Sequence, residues 1–114
     1  MTLIRTTALA LALLLLLAPG ARAGHLADRH AKAGVACASC HGPDAKNPEE
    51  PTIETCIACH PLKPLVASTA SVKPKNPHVS PHYQDRLDCT NCHSGHDESQ
   101  NFCAQCHNFD FKVP

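Results

Sequence analysis

The chain has 114 residues, with 10 Lys plus Arg against 10 Asp plus Glu and nine His, for a formal net charge of zero. That balance excludes a nucleic-acid footprint, which needs a basic face. With no Trp, one Tyr, three Phe and ten Pro, the side chains cannot build a conventional apolar core, and a chain this small then needs staples, metals or cofactors.

The first 23 residues read as an export leader. Arg5 precedes an unbroken apolar run over residues 8–18, followed by Pro19-Gly20 and the small-residue triplet Ala21-Arg22-Ala23. This is the pattern of a secretory signal cleaved after Ala23. The run is well short of the roughly 20 residues needed to span a bilayer. Cleavage leaves one small domain, residues 24–114, that is expected to be soluble and, in a bacterial cell, periplasmic. Arg5 and Arg22 leave with the leader, so eight basic residues face ten acidic ones in the mature chain.

In the mature chain, residues 25–34 place Leu26, His30 and Ala33 at helical spacing, with Gly34 as a stop. The first of four similar pentapeptides follows, Cys37-Ala-Ser-Cys40-His41. Residues 42–51 hold three prolines and polar residues and are expected to be a surface loop. Residues 52–59, containing Cys56-Ile-Ala-Cys59-His60, suggest a helical turn or two closed by Pro61 and Pro64. Residues 65–81 look too polar and too broken for a regular element. Within them Pro77 precedes His78 and Pro81 precedes His82, which restricts the backbone where a histidine is to be aimed. Cys89-Thr-Asn-Cys92-His93 and Cys103-Ala-Gln-Cys106-His107 complete the set, with His96 between them. No strand pattern is present, so the expected fold is mainly helical and irregular with little or no sheet.

All eight cysteines belong to the four pentapeptides. Cys-x-x-Cys-His reads as c-type haem attachment, because two thiols at this spacing form thioethers to the porphyrin vinyl groups while the next histidine reaches the iron. Paired Cys-x-x-Cys units also make zinc sites, and eight cysteines in an exported chain also suit four disulfides, but neither needs the histidine. At this histidine frequency, all four pairs would be followed by His by chance roughly once in tens of thousands of cases. The reading is four covalent haems attached through Cys37, Cys40, Cys56, Cys59, Cys89, Cys92, Cys103 and Cys106, with His41, His60, His93 and His107 as first axial ligands. The haems supply the missing apolar volume, and without them the chain is expected to be largely unfolded.

Four sixth positions remain, and whether they are filled separates an electron wire from a catalyst. His25, His30, His78, His82 and His96 are the candidates, since Met1 leaves with the leader. His30, His78, His82 and His96 are the expected ligands, with His25 spare beside the new N-terminus, where chains fray. His78 and His82 have the i, i+4 spacing of a helical zinc pair, but Pro81 opposes that helix and no Glu follows His78. His96 is only three residues beyond His93, so it cannot easily reach the opposite face of the same ring and should serve another haem. The third and fourth haems should be neighbours, because the chain between their motifs spans at most about 3.5 Å per residue. Bis-histidine ligation without Met favours low potentials.

With these residues in place, the chain resembles the tetrahaem domain of flavocytochrome c fumarate reductases and the small tetrahaem cytochromes c of anaerobically respiring bacteria. The shared features are His30 before the first motif, the pair His78 and His82 before the third, the run Cys92-His93-Ser94-Gly95-His96, and the short step to Cys103. Three residues separate His78 from His82 here, where the family tends to have two. The resemblance implies bis-histidine ligation at those positions. In flavocytochromes, the segment resembling Asn108-Phe109-Asp110-Phe111 leads into a flavin domain. No G-x-G-x-x-G signature occurs here, so this chain alone is not expected to be a fumarate reductase.

The function expected is periplasmic electron transfer from a quinol-oxidising membrane cytochrome to a terminal reductase, either as a shuttle or as the haem subunit of a separate flavoprotein. Phe109 and Phe111 slightly favour a docking partner, although two alternating aromatics are more often ordinary packing against a haem. The competing reading is an enzyme with one open haem that reduces a small nitrogen or sulfur oxyanion.

Overall fold

The computed structural model describes residues 24–114; the leader expected over residues 1–23 lies outside the described residues. Four short helices, α1 (Leu26–Lys32), α2 (Ala38–His41), α3 (Ile53–Ile57) and α4 (Leu62–Ser68), are followed by two 3₁₀ turns, Cys89–Asn91 and Phe102–Gln105. No strand is present among the described residues. Only an isolated pairing of Ser80 with Gln84 occurs there. The expected helical and irregular fold class is what the structure has.

Helix α1 begins where the Asp28 carboxylate accepts the His25 backbone N–H at 3.0 Å. It ends in a Schellman arrangement: Gly34 N–H donates to the Ala31 carbonyl and Val35 N–H to that of His30, both at 3.0 Å. Gly34 has φ +84°, the left-handed conformation that this stop requires. The Ala27 N–H also donates to the Gly95 carbonyl at 2.8 Å, fastening α1 to the segment after the third motif. Helix α2 is the first motif itself and ends at Gly42, φ +74°. A β-carbon there would lie 3.1 Å from the Glu49 carboxyl carbon.

Helix α3 carries Cys56 and presents Ile53, which at 6% exposure is the one buried hydrophobic residue among those described. Its first N–H, on Ile53, donates to the Asp88 carboxylate at 2.8 Å across 35 positions of sequence. An exposed Arg86–Glu54 ion pair at 2.6 Å runs beside it. The segment leading into the third motif is thereby strapped to the start of the second.

Helix α4 departs from the sequence reading. Pro61 and Pro64 do not close the preceding element; Pro61 caps a new helix and Pro64 lies in its first turn. The first N–H groups of a helix have no intrahelical acceptor, so proline there sacrifices nothing. Polar residues that suggested a broken connector instead finish the helix. The Ser68 hydroxyl donates to the Leu65 carbonyl at 2.8 Å, the Thr69 hydroxyl lies 3.0 Å from the same oxygen, and Asn76 Nδ2 donates to the Val66 carbonyl at 2.8 Å.

The C-terminal segment is packed rather than free. Asn101 Nδ2 donates to the Phe109 carbonyl at 2.6 Å. Phe109 stacks on His107 with ring centres 4.6 Å apart and planes 6° from parallel, and Phe111 lies 5.4 Å from Phe109. Phe109 and Phe111 thus pack beside the fourth motif, the ordinary packing expected of an alternating aromatic pair.

Candidate haem sites

All four pentapeptides fold into the same single turn. The histidine N–H donates to the carbonyl of the first cysteine at 3.0 Å in the first motif, 2.9 Å in the second, 2.8 Å in the third and 2.9 Å in the fourth. The second cysteine donates to the same carbonyl at 3.1, 3.2, 3.1 and 3.2 Å. Residues at i, i+3 and i+4 of a helical turn share a face, so each turn presents two thiols and an imidazole together. No disulfide pairs any of the eight cysteines.

Every motif histidine faces a second imidazole. The ring centres of His41 and His96 are 5.9 Å apart, those of His30 and His60 6.1 Å, those of His78 and His93 6.4 Å, and those of His82 and His107 5.9 Å. The planes of His78 and His93 are within 3° of parallel and those of His41 and His96 within 16°, whereas His82 and His107 are tilted by 34° and His30 and His60 crossed at 86°. A metal with imidazole bonds of about 2 Å, added to about 1 Å from each nitrogen to its ring centre, separates two centres by about 6 Å. The spacing suits one metal between each pair, so the residues fit iron held by two histidines. His96 stands opposite His41 and not His93. His25 stands apart: it is exposed and starts α1.

Three imidazoles have partners for Nδ1. His30 is 2.9 Å from the Leu26 carbonyl and His41 2.8 Å from that of Glu49; His78 is 3.0 Å from the Thr69 hydroxyl. With Nδ1–H donating, Nε2 is left as the free, ligating nitrogen. Burial lowers the pKa of His78, with the neighbouring His93 adding to the effect. Burial likewise lowers that of His93, opposed by a hydrogen bond to the Pro114 backbone. Both shifts favour the neutral, metal-binding ring.

The third and fourth motifs share a cavity of about 550 Å³, a size typical of sites for organic groups. His78, His82, His93 and His107 line it with Phe102 and Phe109, and Tyr83 packs edge-on against Phe102 at 6.1 Å. The thiols of successive motifs also adjoin. Burial, then the neighbouring Cys89 and Cys40 thiols and the Asp88 carboxylate, push Cys56 up to about 11. Burial and Cys92 raise Cys103. A thiol so placed is costly to ionise, whereas a thioether carries no charge. Among the described residues no three His, Cys, Asp or Glu converge as a closed zinc site requires.

Repeated thiol–thiol–imidazole turns, each opposed by another imidazole, define an electron-transferring multihaem cytochrome of the c type. Residues 29–108 match the Cytochrome c3 family, and the chain belongs to it; covalently bound c-type haem is its cofactor. It is also 35% identical over 86 residues to the probable fumarate reductase Ifc3 of Shewanella frigidimarina (strain NCIMB 400). The match covers 73% of this chain and 14% of that protein. No solved structure matches. No helix among the described residues is long and apolar enough to cross a membrane.

The four motifs and the further histidines that face them were visible in sequence. The motif histidine that each of these faces, the Thr69 contact and the packing of Phe109 on His107 were not. The i, i+7 spacing of Thr69 and Asn76 across an irregular stretch that holds Pro74 carries no recognisable signal.

Proposed function

We propose that residues 24–114 form an exported, periplasmic carrier of four haems, each held by two histidines. Cys37 and Cys40, with His41 and His96, hold the first; Cys56 and Cys59, with His60 and His30, the second. Cys89 and Cys92, with His93 and His78, hold the third; Cys103 and Cys106, with His107 and His82, the fourth. Bound haem supplies a one-electron couple, and bis-histidine ligation without methionine keeps its potential low. The chain's own work is positional. Asp88 ties the second site to the third, the Ala27–Gly95 bond brings the stretch after the third motif back to α1, and the Asn101–Phe109 bond folds the tail over the fourth. The adjoining thiols of Cys56 and Cys89, and of Cys92 and Cys103, keep successive redox centres close, as tunnelling between them requires.

The observation that carries this reading is that all four motif imidazoles face a second imidazole at 5.9–6.4 Å. A saturated metal exchanges electrons and leaves no position for a substrate, which favours a carrier over a reductase of nitrogen or sulfur oxyanions. The donor in this reading is a quinol-oxidising membrane cytochrome. The acceptor is a terminal reductase, possessing its own flavin and akin in activity to the named fumarate reductase. The test is carbon monoxide added to the reduced protein. An unchanged Soret band is expected; a shift of about a quarter of the haem absorbance would instead mark one open iron among four and support the enzyme.

A further inference from the structure

The three Nδ1 contacts are not equivalent. His30 and His41 meet backbone carbonyls, whose position is set by the chain itself, but His78 meets a side-chain hydroxyl that must be held in place by something else. Asn76 holds it. Its Oδ1 lies 2.8 Å from Thr69 Oγ1 and accepts the His78 backbone N–H at 3.0 Å, while its Nδ2 is anchored to the Val66 carbonyl at 2.8 Å. The Thr69 hydroxyl proton goes to Asn76 Oδ1 or to the Leu65 carbonyl. In either case a lone pair faces His78 Nδ1–H. All three side chains are half-buried, so a lost partner is not simply replaced by bulk water.

We propose that Thr69, fixed by Asn76, is a positioning residue that sets the ring angle of His78 and the potential of the haem between His78 and His93. The inference rests on the reading of His78 as an axial ligand. An outer acceptor on Nδ1–H raises ligand basicity and holds ring orientation; greater basicity favours ferric iron. A hydroxyl is the weakest of the three acceptors and the one that mutation can delete without moving backbone. It also accounts for the 3° alignment of His78 with His93, since one hydrogen bond at Nδ1 and another at the backbone N–H of the same residue converge on one amide and its neighbouring hydroxyl.

The test uses the holoprotein with all its haems and compares Thr69→Val, Thr69→Ser and His78→Ala. His78→Ala is expected to leave one iron high-spin. Thr69→Val is expected to keep every haem low-spin while raising one midpoint potential by about tenfold in the oxidised-to-reduced ratio, ~59 mV for a one-electron couple. It should also alter one ferric electron-paramagnetic-resonance signal, which reports the angle between the two imidazole planes. Thr69→Ser, which keeps the hydroxyl, should restore both. Unchanged potentials and resonance in Thr69→Val, with His78→Ala still opening one iron, would overturn the role of Thr69 alone. A fully low-spin His78→Ala would overturn the ligand reading and this inference together.

Discussion

At the scale of single residues, the proposed carrier separates the task of attaching a haem from that of completing its coordination. Attachment is local: two cysteines and a histidine within five positions, closed by a hydrogen bond of 2.8–3.0 Å from the histidine N–H to the first cysteine carbonyl. Completion is distant, as with His96, which lies three positions from His93 yet stands 5.9 Å from His41. Chain geometry favours this, because a residue so near its own motif cannot easily reach the far face of the same ring. Replacing His96 by Ala is expected to convert about a quarter of the haem to a high-spin, carbon-monoxide-binding form while the other irons stay saturated. Optical and magnetic spectra of the variant check this; a wholly low-spin spectrum would assign the sixth ligand of that iron elsewhere.

At the scale of elements, helices too short to persist alone are held by side chains that reach across from other motifs. Asp88 is the clearest case: it precedes Cys89 and accepts the first N–H of α3 at 2.8 Å. Removing a carboxylate from such a position costs about 1 kcal/mol, so Asp88→Ala is expected to lower the unfolding midpoint in denaturant measurably. Glu54→Ala, which breaks only the solvent-exposed pair with Arg86, should change little, as exposed ion pairs generally contribute little. Denaturation of the two variants followed by far-ultraviolet circular dichroism tests the contrast. The elements also show what sequence could and could not tell. The Cys-x-x-Cys-His turns and α1, with its Gly34 stop, were legible because their determinants lie within a few residues. Helix α4 was not, because Pro64 reads as a breaker unless the helix is known to begin at Leu62. Its end is capped by Asn76, which arrives from a loop whose path no local pattern predicts.

At the scale of the whole molecule, the chain forms almost no interior of its own. Ile53 is the one buried hydrophobic residue among those described, and the aromatic side chains of Phe102, Phe109 and Phe111 gather around the cavity shared by the third and fourth motifs. The cofactor therefore takes the structural place that a core fills in other small domains. Family membership gives a multihaem electron-transfer role, and the pairing of imidazoles supports the proposal that each iron is saturated. Composition made the missing core evident. The order in which histidines pair depends on how the wrapped chain crosses itself, and so was not written in any one segment. The most direct test is the intact mass of the exported protein. The account predicts a chain beginning at Gly24 with four covalent haem additions that survive denaturation; fewer than four additions would contradict it.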